Sequence, residues 1–114
     1  MEYWLDTVKQ FETEIKQDIT MWEDGTVMAA MEIARHLRYQ GCPEQIAWEV
    51  AKTRIKKNFP QSIGRGLMSG WVHQGVEKAY HEPERQDWYC FCGALNNRRL
   101  SKCLTCGKRE KEDE

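Results

Sequence analysis

No run of even twelve apolar residues occurs in this chain of 114, so no segment has the length to cross a bilayer as a helix. A catalytic set is missing as well. The three histidines, His36, His73 and His81, have no cysteine or carboxylate at ligand or triad spacing and read as surface or boundary residues. Cys42 stands alone, with no base beside it in sequence, and reads as a buried thiol at the start of a helix. The glycines Gly64, Gly66, Gly70 and Gly75 are not followed by Gly-Lys-Ser/Thr, which excludes that kind of phosphate loop. There is no internal repeat. Met1 to Asp6 show neither the basic nor the apolar region of a signal peptide, so the expected compartment is reducing and cytoplasmic. These absences predict a protein that acts by binding and not by chemistry, with no small-molecule substrate.

What is present is concentrated near the end. Cys90, Cys92, Cys103 and Cys106 read C-x-C-x10-C-x2-C, and each pair is followed by glycine, Gly93 or Gly107. Two thiolate pairs on tight turns supply the four soft ligands of a closed tetrahedral zinc site. The glycines suit turns whose amide N–H groups point at sulfur. Four cysteines leave no open coordination position, so the expected zinc is structural, one per chain. Two disulfides are the competing use of the same residues and need an oxidising compartment.

A second layer surrounds the ligands. Trp88 lies two residues before Cys90, Asn96 four after Cys92, and six residues separate Asn96 from Cys103. Over about residues 86–109 this spacing resembles the zinc finger of the Ran-binding-protein (nucleoporin) type, a ribbon of two crossed hairpins. The tighter Cys-x-Cys-Gly opening is similar to that of short bacterial zinc ribbons. The resemblance implies that Trp88 packs on the ribbon and that the Asn96 side chain braces a knuckle. Members that grip single-stranded RNA use two arginines and a stacking aromatic. Here only Arg99 falls in register, with Leu100 at the second position and Asn97 where the ring would be. Members that bind ubiquitin carry Thr-Phe after the second cysteine, where this chain has Gly93-Ala94, so ubiquitin binding has no support.

Net charge is only −1, but its distribution is uneven. Residues 1–24 carry seven acids against two bases, and residues 25–109 carry seven acids against fourteen bases. The last residues, 110–114, form an acidic tail. This pattern fits a protein that meets a polyanion, or one whose parts attract each other. Candidate nucleic-acid contacts are Arg98, Arg99 and Lys102 on the ribbon, with Tyr89 and Phe91 as rings for unpaired bases. Arg54, Lys56 and Lys57 on a helix are a second candidate contact. In the plainer reading, Phe91 and Leu100 fill the ribbon's small core and the arginines are solvated. The alternative function is a protein-binding adaptor or inhibitor, of viral or accessory-element origin, docking on a larger machine such as RNA polymerase.

The remaining four-fifths reads as helical, giving a mainly α fold: a bundle of about four helices over residues 1–80, a linker at 81–87, and the ribbon at 88–109. Trp4, Leu5, Val8, Phe11, Ile15, Ile19 and Trp22 recur at helical steps, predicting one long first helix stopped by Asp24-Gly25. Val27, Met28, Met31, Ala34 and Leu37 form the stripe of a second, ending at Gly41. Pro43 opens a third, with Ile46, Ala47, Val50, Ala51 and Ile55, which stops near Asn58. A fourth is expected from about Ser62 to Tyr80, using Ile63, Leu67, Trp71, Val76 and Ala79. The pair across Gly41 has the look of a helix-turn-helix, but its turn is about two residues too long and holds Pro43, so a plain helical hairpin is expected. Ile63-Gly64-Arg65-Gly66 faintly resembles a phosphate-holding hairpin, against which stands close packing of helix 4, through Gly66 and Gly70, on Trp22 or Trp48. The predicted core is Trp4, Phe11, Ile15, Trp22, Met31, Leu37, Ile46, Val50 and Trp71, with the exposed alternative a docking or homodimer face.

Overall fold

The computed structural model describes residues 2–22, 25–58 and 67–110, apart from the side chains of 67–69. The fold is mainly α, with four helices followed by a small hairpin: α1 (Glu2–Glu14), α2 (Gly25–Tyr39), α3 (Glu44–Asn58), α4 (Leu67–His81), β1 (Trp88–Tyr89) and β2 (Leu95–Asn96). Two compact units result, Met1–Glu82 and Pro83–Glu114.

In the first unit α2 is the helix around which the other three pack. Its sequence permits this because Ala29, Ala30 and Ala34 let neighbours approach closely, while Ile33 and Leu37 fill the space between them, all five fully buried. The stripe expected from sequence is therefore displaced. Val27, Met28 and Met31 are only half-buried, and even Glu32, Arg35 and His36 are taken inside. His36, expected at the surface or boundary, is buried and stacks on Phe11 with ring centroids 4.6 Å apart. Arg35 is satisfied by carboxylates, donating to Glu82 at 2.8 Å and to Glu32 at 3.3 Å. Arg38 donates to the carbonyls of Ala79 and Glu82 at 2.8 and 2.9 Å, capping the C-terminal end of α4.

The long first helix is divided. Its periodicity runs on to Trp22, but α1 stops at Glu14, just before Ile15, and a separate 3₁₀ turn, Ile19–Met21, carries Ile19, with Trp22 as its C-cap. Lys16 adopts φ of 55°, its N–H bonds the Thr13 carbonyl, and the Gln17 N–H bonds the Glu12 carbonyl. That pair of bonds is a Schellman cap with lysine at the left-handed position. Asp18 then caps the 3₁₀ turn through the Thr20 N–H. The same cap ends α2, with Gly41 at φ 89° and the bonds Gly41 to Arg38 and Cys42 to Leu37. Here the glycine announces it, and buried Leu37 and Cys42 flank the turn. A short connection into α3 follows, with the Ala47 N–H on the Pro43 carbonyl.

Of the predicted core, Phe11, Leu37 and Val50 are fully buried and Trp22 nearly so. Trp4, Ile15 and Met31 are half-buried. Ile46 and Trp71 face outward, Trp71 with 44% of its surface exposed. Val76 and Ala79 of the expected α4 stripe do face inward, joined by Val72 and Gly75. The close approach of α4 is likewise made elsewhere. A Cβ on Gly70 would meet nothing, whereas one on Gly75 would lie 2.6 Å from both the Ala30 Cβ and the Val27 carbonyl oxygen. Ile63, Gly64 and Gly66, with the hairpin and the predicted start at Ser62, lie outside the described residues.

Two substitutions test this packing by urea denaturation. Phe11→Ala is expected to cost about 3–5 kcal/mol, since the ring is fully buried. Gly75→Ala gains about 1 kcal/mol of helix propensity. It nevertheless destabilises overall, because the added methyl meets backbone that yields only at about 1–3 kcal/mol. A more stable Gly75→Ala protein would contradict the α2–α4 contact.

Candidate metal centre

In the second unit β1 and β2 pair antiparallel, with Trp88 opposite Asn96 and Tyr89 opposite Leu95. The period of two sends the first pair inward and the second outward. Asn96 is buried, and Tyr89 and Leu95 are exposed. The turn joining the strands is the first knuckle. Cys90 donates its N–H to the Ala94 carbonyl at 2.9 Å, and Gly93, at φ 90°, donates to the Cys90 carbonyl at 2.8 Å. The second knuckle repeats this with one more residue: Cys103 N–H to Lys108 carbonyl at 2.8 Å, and Gly107, at φ 78°, to Cys103 carbonyl at 2.9 Å. The tighter first turn follows from having one residue between its cysteines.

These turns bring the four sulfurs of Cys90, Cys92, Cys103 and Cys106 within 4.8 Å of one another. Cys90 and Cys106 are 3.3 Å apart, and Cys92 and Cys103 are 3.6 Å apart. A tetrahedron with metal–sulfur bonds of about 2.3 Å has edges of about 3.8 Å, so the four cysteines are positioned to hold a soft, tetrahedral metal ion such as zinc. Electrostatics point the same way. The Cys103 thiol is brought down to about 5, first by the Cys106 backbone N–H and then by the Asn96 side chain and the Thr105 N–H. Cys106 has the Lys108 backbone N–H to favour its thiolate, yet its pKa is raised by the neighbouring sulfurs of Cys90 and Cys103 and by burial. One thiolate discourages the next, and a bound cation removes that conflict.

The second layer is well formed. Asn96 accepts the Leu104 N–H on Oδ1 at 3.1 Å, so its side chain ties the hairpin to the second knuckle. Trp88 donates its indole N–H to the Leu100 carbonyl at 3.0 Å, and Leu100 is the buried aliphatic residue of this unit. Phe91, which shares that small core in the plainer reading of the sequence, is 77% exposed. Tyr89, Leu95 and Leu104 are exposed too, so the zinc-ribbon-like segment shows four large apolar side chains to solvent.

The six basic candidates are unlike one another. Arg54 of α3 is largely buried, with its guanidinium bonded to Glu12 of α1. It ties two helices together and does not face outward. Lys56 and Lys57 are exposed at the end of α3. On the ribbon, Arg98 pairs with Glu84 at 3.2 Å, and its backbone N–H bonds Asp87. Arg99 and Lys102 are half-buried, and the backbone of Lys102 pairs antiparallel with that of Arg109. Sequence reasoning missed Arg85, which bonds the Leu100 carbonyl and the Glu110 carboxylate, so the first residue of the expected acidic tail belongs to the ribbon. Only the basic–acidic pairing across 25 residues would have revealed it, and no local pattern shows such a pair. Lys111 to Glu114 lie outside the described residues. No helix among the described residues is long and apolar enough to cross a membrane.

Comparison with protein-family models, with curated proteins and with solved structures finds no match to this chain.

Metal affinity should fall as pH is lowered, because protons compete for the same sulfurs. Asn96→Ala, which frees the second knuckle, is expected to weaken metal binding about 10–100-fold in a competition with a chromophoric chelator. Unchanged affinity would mean that Asn96 serves only the hairpin.

Proposed function

We propose that this chain is a small zinc protein, with one structural ion on Cys90, Cys92, Cys103 and Cys106, whose ribbon binds single-stranded nucleic acid. The carrying observation is the cluster of four sulfurs within 4.8 Å, beside which Tyr89 and Phe91 stand 74% and 77% exposed. When bound, zinc supplies a closed tetrahedral clamp and no catalysis. The chain's own residues do the rest. Knuckle backbones fix the rings, Asn96 and Trp88 hold the hairpin, and exposed rings offer stacking faces to any unpaired base. Lys108 is exposed, and Arg99 and Lys102 are partly so, which gives a modest cationic edge for the phosphates. Lys56 and Lys57 are a second contact; Arg54 is left out because Glu12 holds it. Thiolates that must stay reduced suit a reducing compartment such as the cytoplasm.

A second reading, docking on a protein, draws on the aliphatic exposure of Leu95 and Leu104 and on the carboxylates already held by Arg85 and Arg98. Salt separates the two. Binding of an unstructured oligonucleotide should weaken with salt, at about −0.7 in log–log slope for each phosphate neutralised. Tyr89→Ala with Phe91→Ala should cost about 1–3 kcal/mol per lost stack while leaving zinc content intact. No oligonucleotide binding at about 50 mM salt, in protein that carries its zinc, ends the nucleic-acid reading and leaves the protein one. Freshly purified, reduced protein without metal ends the zinc reading itself.

A further inference from the structure

Among the described residues the four sulfurs are not equivalent. Cys90 and Cys103 are buried, and Cys92 and Cys106 are exposed. Two close approaches run between the knuckles: Cys90 to Cys106 at 3.3 Å, and Cys92 to Cys103 at 3.6 Å. Each of these two pairs therefore contains one exposed cysteine and one buried cysteine. That is the arrangement of an attackable thiolate with a resolving partner.

We propose that the centre is an oxidation site for small hydroperoxides, closing two disulfides that cross between the knuckles, Cys90–Cys106 and Cys92–Cys103. The inference rests on the zinc reading for the ion that is released. In each pair the exposed thiolate attacks the terminal oxygen of the peroxide, breaking the O–O bond to give a sulfenic acid and expelling hydroxide from hydrogen peroxide or alkoxide from an organic hydroperoxide. The buried thiolate then attacks the sulfenic sulfur, forming the S–S bond and expelling hydroxide. Two thiolates lose two electrons, and one peroxide gains them. Two such events consume all four ligands, and the ion leaves with nothing to hold it.

Geometry selects the cross-knuckle pairs over pairs within a knuckle. Cys90 and Cys92 have a single residue between them, so joining them closes a ring of two peptide bonds with strained torsions. Sequestering Cys90 with Cys92 would also leave Cys103 only Cys106, with neither a covalent bond nor a metal joining the two turns. The crossed pairs keep those turns together in place of the metal, with the Asn96–Leu104 and Trp88–Leu100 hydrogen bonds undisturbed. The oxidised ribbon is thus metal-free yet folded. Cys42 takes no part, being buried in the other unit with its pKa raised by burial.

The test uses the full, metal-loaded chain, its zinc content first measured, titrated with hydrogen peroxide in the presence of a chromophoric chelator. About two peroxides should be consumed for each ion released, and thiol reductant should restore metal uptake. Chymotryptic cleavage after Phe91 and Leu104 separates the members of each knuckle, so mass spectrometry reads the connectivity directly. Linked peptides Cys90–Cys106 and Cys92–Cys103, with Cys42 still alkylatable, are the expected result. Pairs within the knuckles, sulfinic or sulfonic products without disulfides, or metal retained at about tenfold excess peroxide would each overturn the proposal. A chain that carries no metal at the outset but forms the crossed disulfides would remove the zinc reading and leave the assigned oxidation site standing.

Discussion

Four thiol groups crowded within 4.8 Å repel one another as they ionise, and the C-terminal unit is organised around that repulsion. Hydrophobic burial cannot compensate for it. Beyond the ligands, Leu100 is the buried aliphatic side chain there, while Tyr89, Phe91, Leu95 and Leu104 point to water. A segment with so little interior needs a cation or covalent links to keep its two turns together. Every other feature of the ribbon follows from the turns: the tighter first knuckle, the buried Asn96, and the outward rings.

The helical unit solves its problem differently. One helix, α2, is surrounded, and that placement takes charged side chains into the interior with it. Buried ions survive only with partners. Arg35 finds Glu32 and Glu82, and Arg54 finds Glu12, so these pairs specify which helix lies against which. A plain apolar stripe would permit several arrangements, whereas a buried arginine accepts only those that bring it a carboxylate.

This contrast also explains what could be read from the chain. Cysteine spacing, glycine placement and the partners Trp88 and Asn96 are local, and their consequences are local: two knuckles, a hairpin, a braced turn. Helix existence was equally legible, because Gly41, Pro43 and the apolar periodicities mark α2 and α3 directly. The break after Glu14 was not. Lysine is a poor sign of a left-handed residue, and the apolar positions continue in phase through the 3₁₀ turn. Nor was the face of α2, since a helix packed on several sides has no single stripe. Trp71 and Ile46 were misplaced for a related reason, as periodicity reports a shared face without saying whether a neighbour covers it. Arg54 read as a solvent cation because its partner stands 42 residues away.

The close approach between Ala30 and Gly75 has a hereditary consequence. The space there is shared with backbone as well as with the Ala30 methyl, so shrinking position 30 to glycine would not free it: a larger residue at 75 is tolerated only where the helices have moved apart. Descent with modification should therefore hold positions 30 and 75 small for as long as the two helices keep this spacing, while exposed neighbours such as Gln74 and Lys78 wander freely. Two small residues would then record the ancestry of the bundle more faithfully than its conspicuous tryptophans.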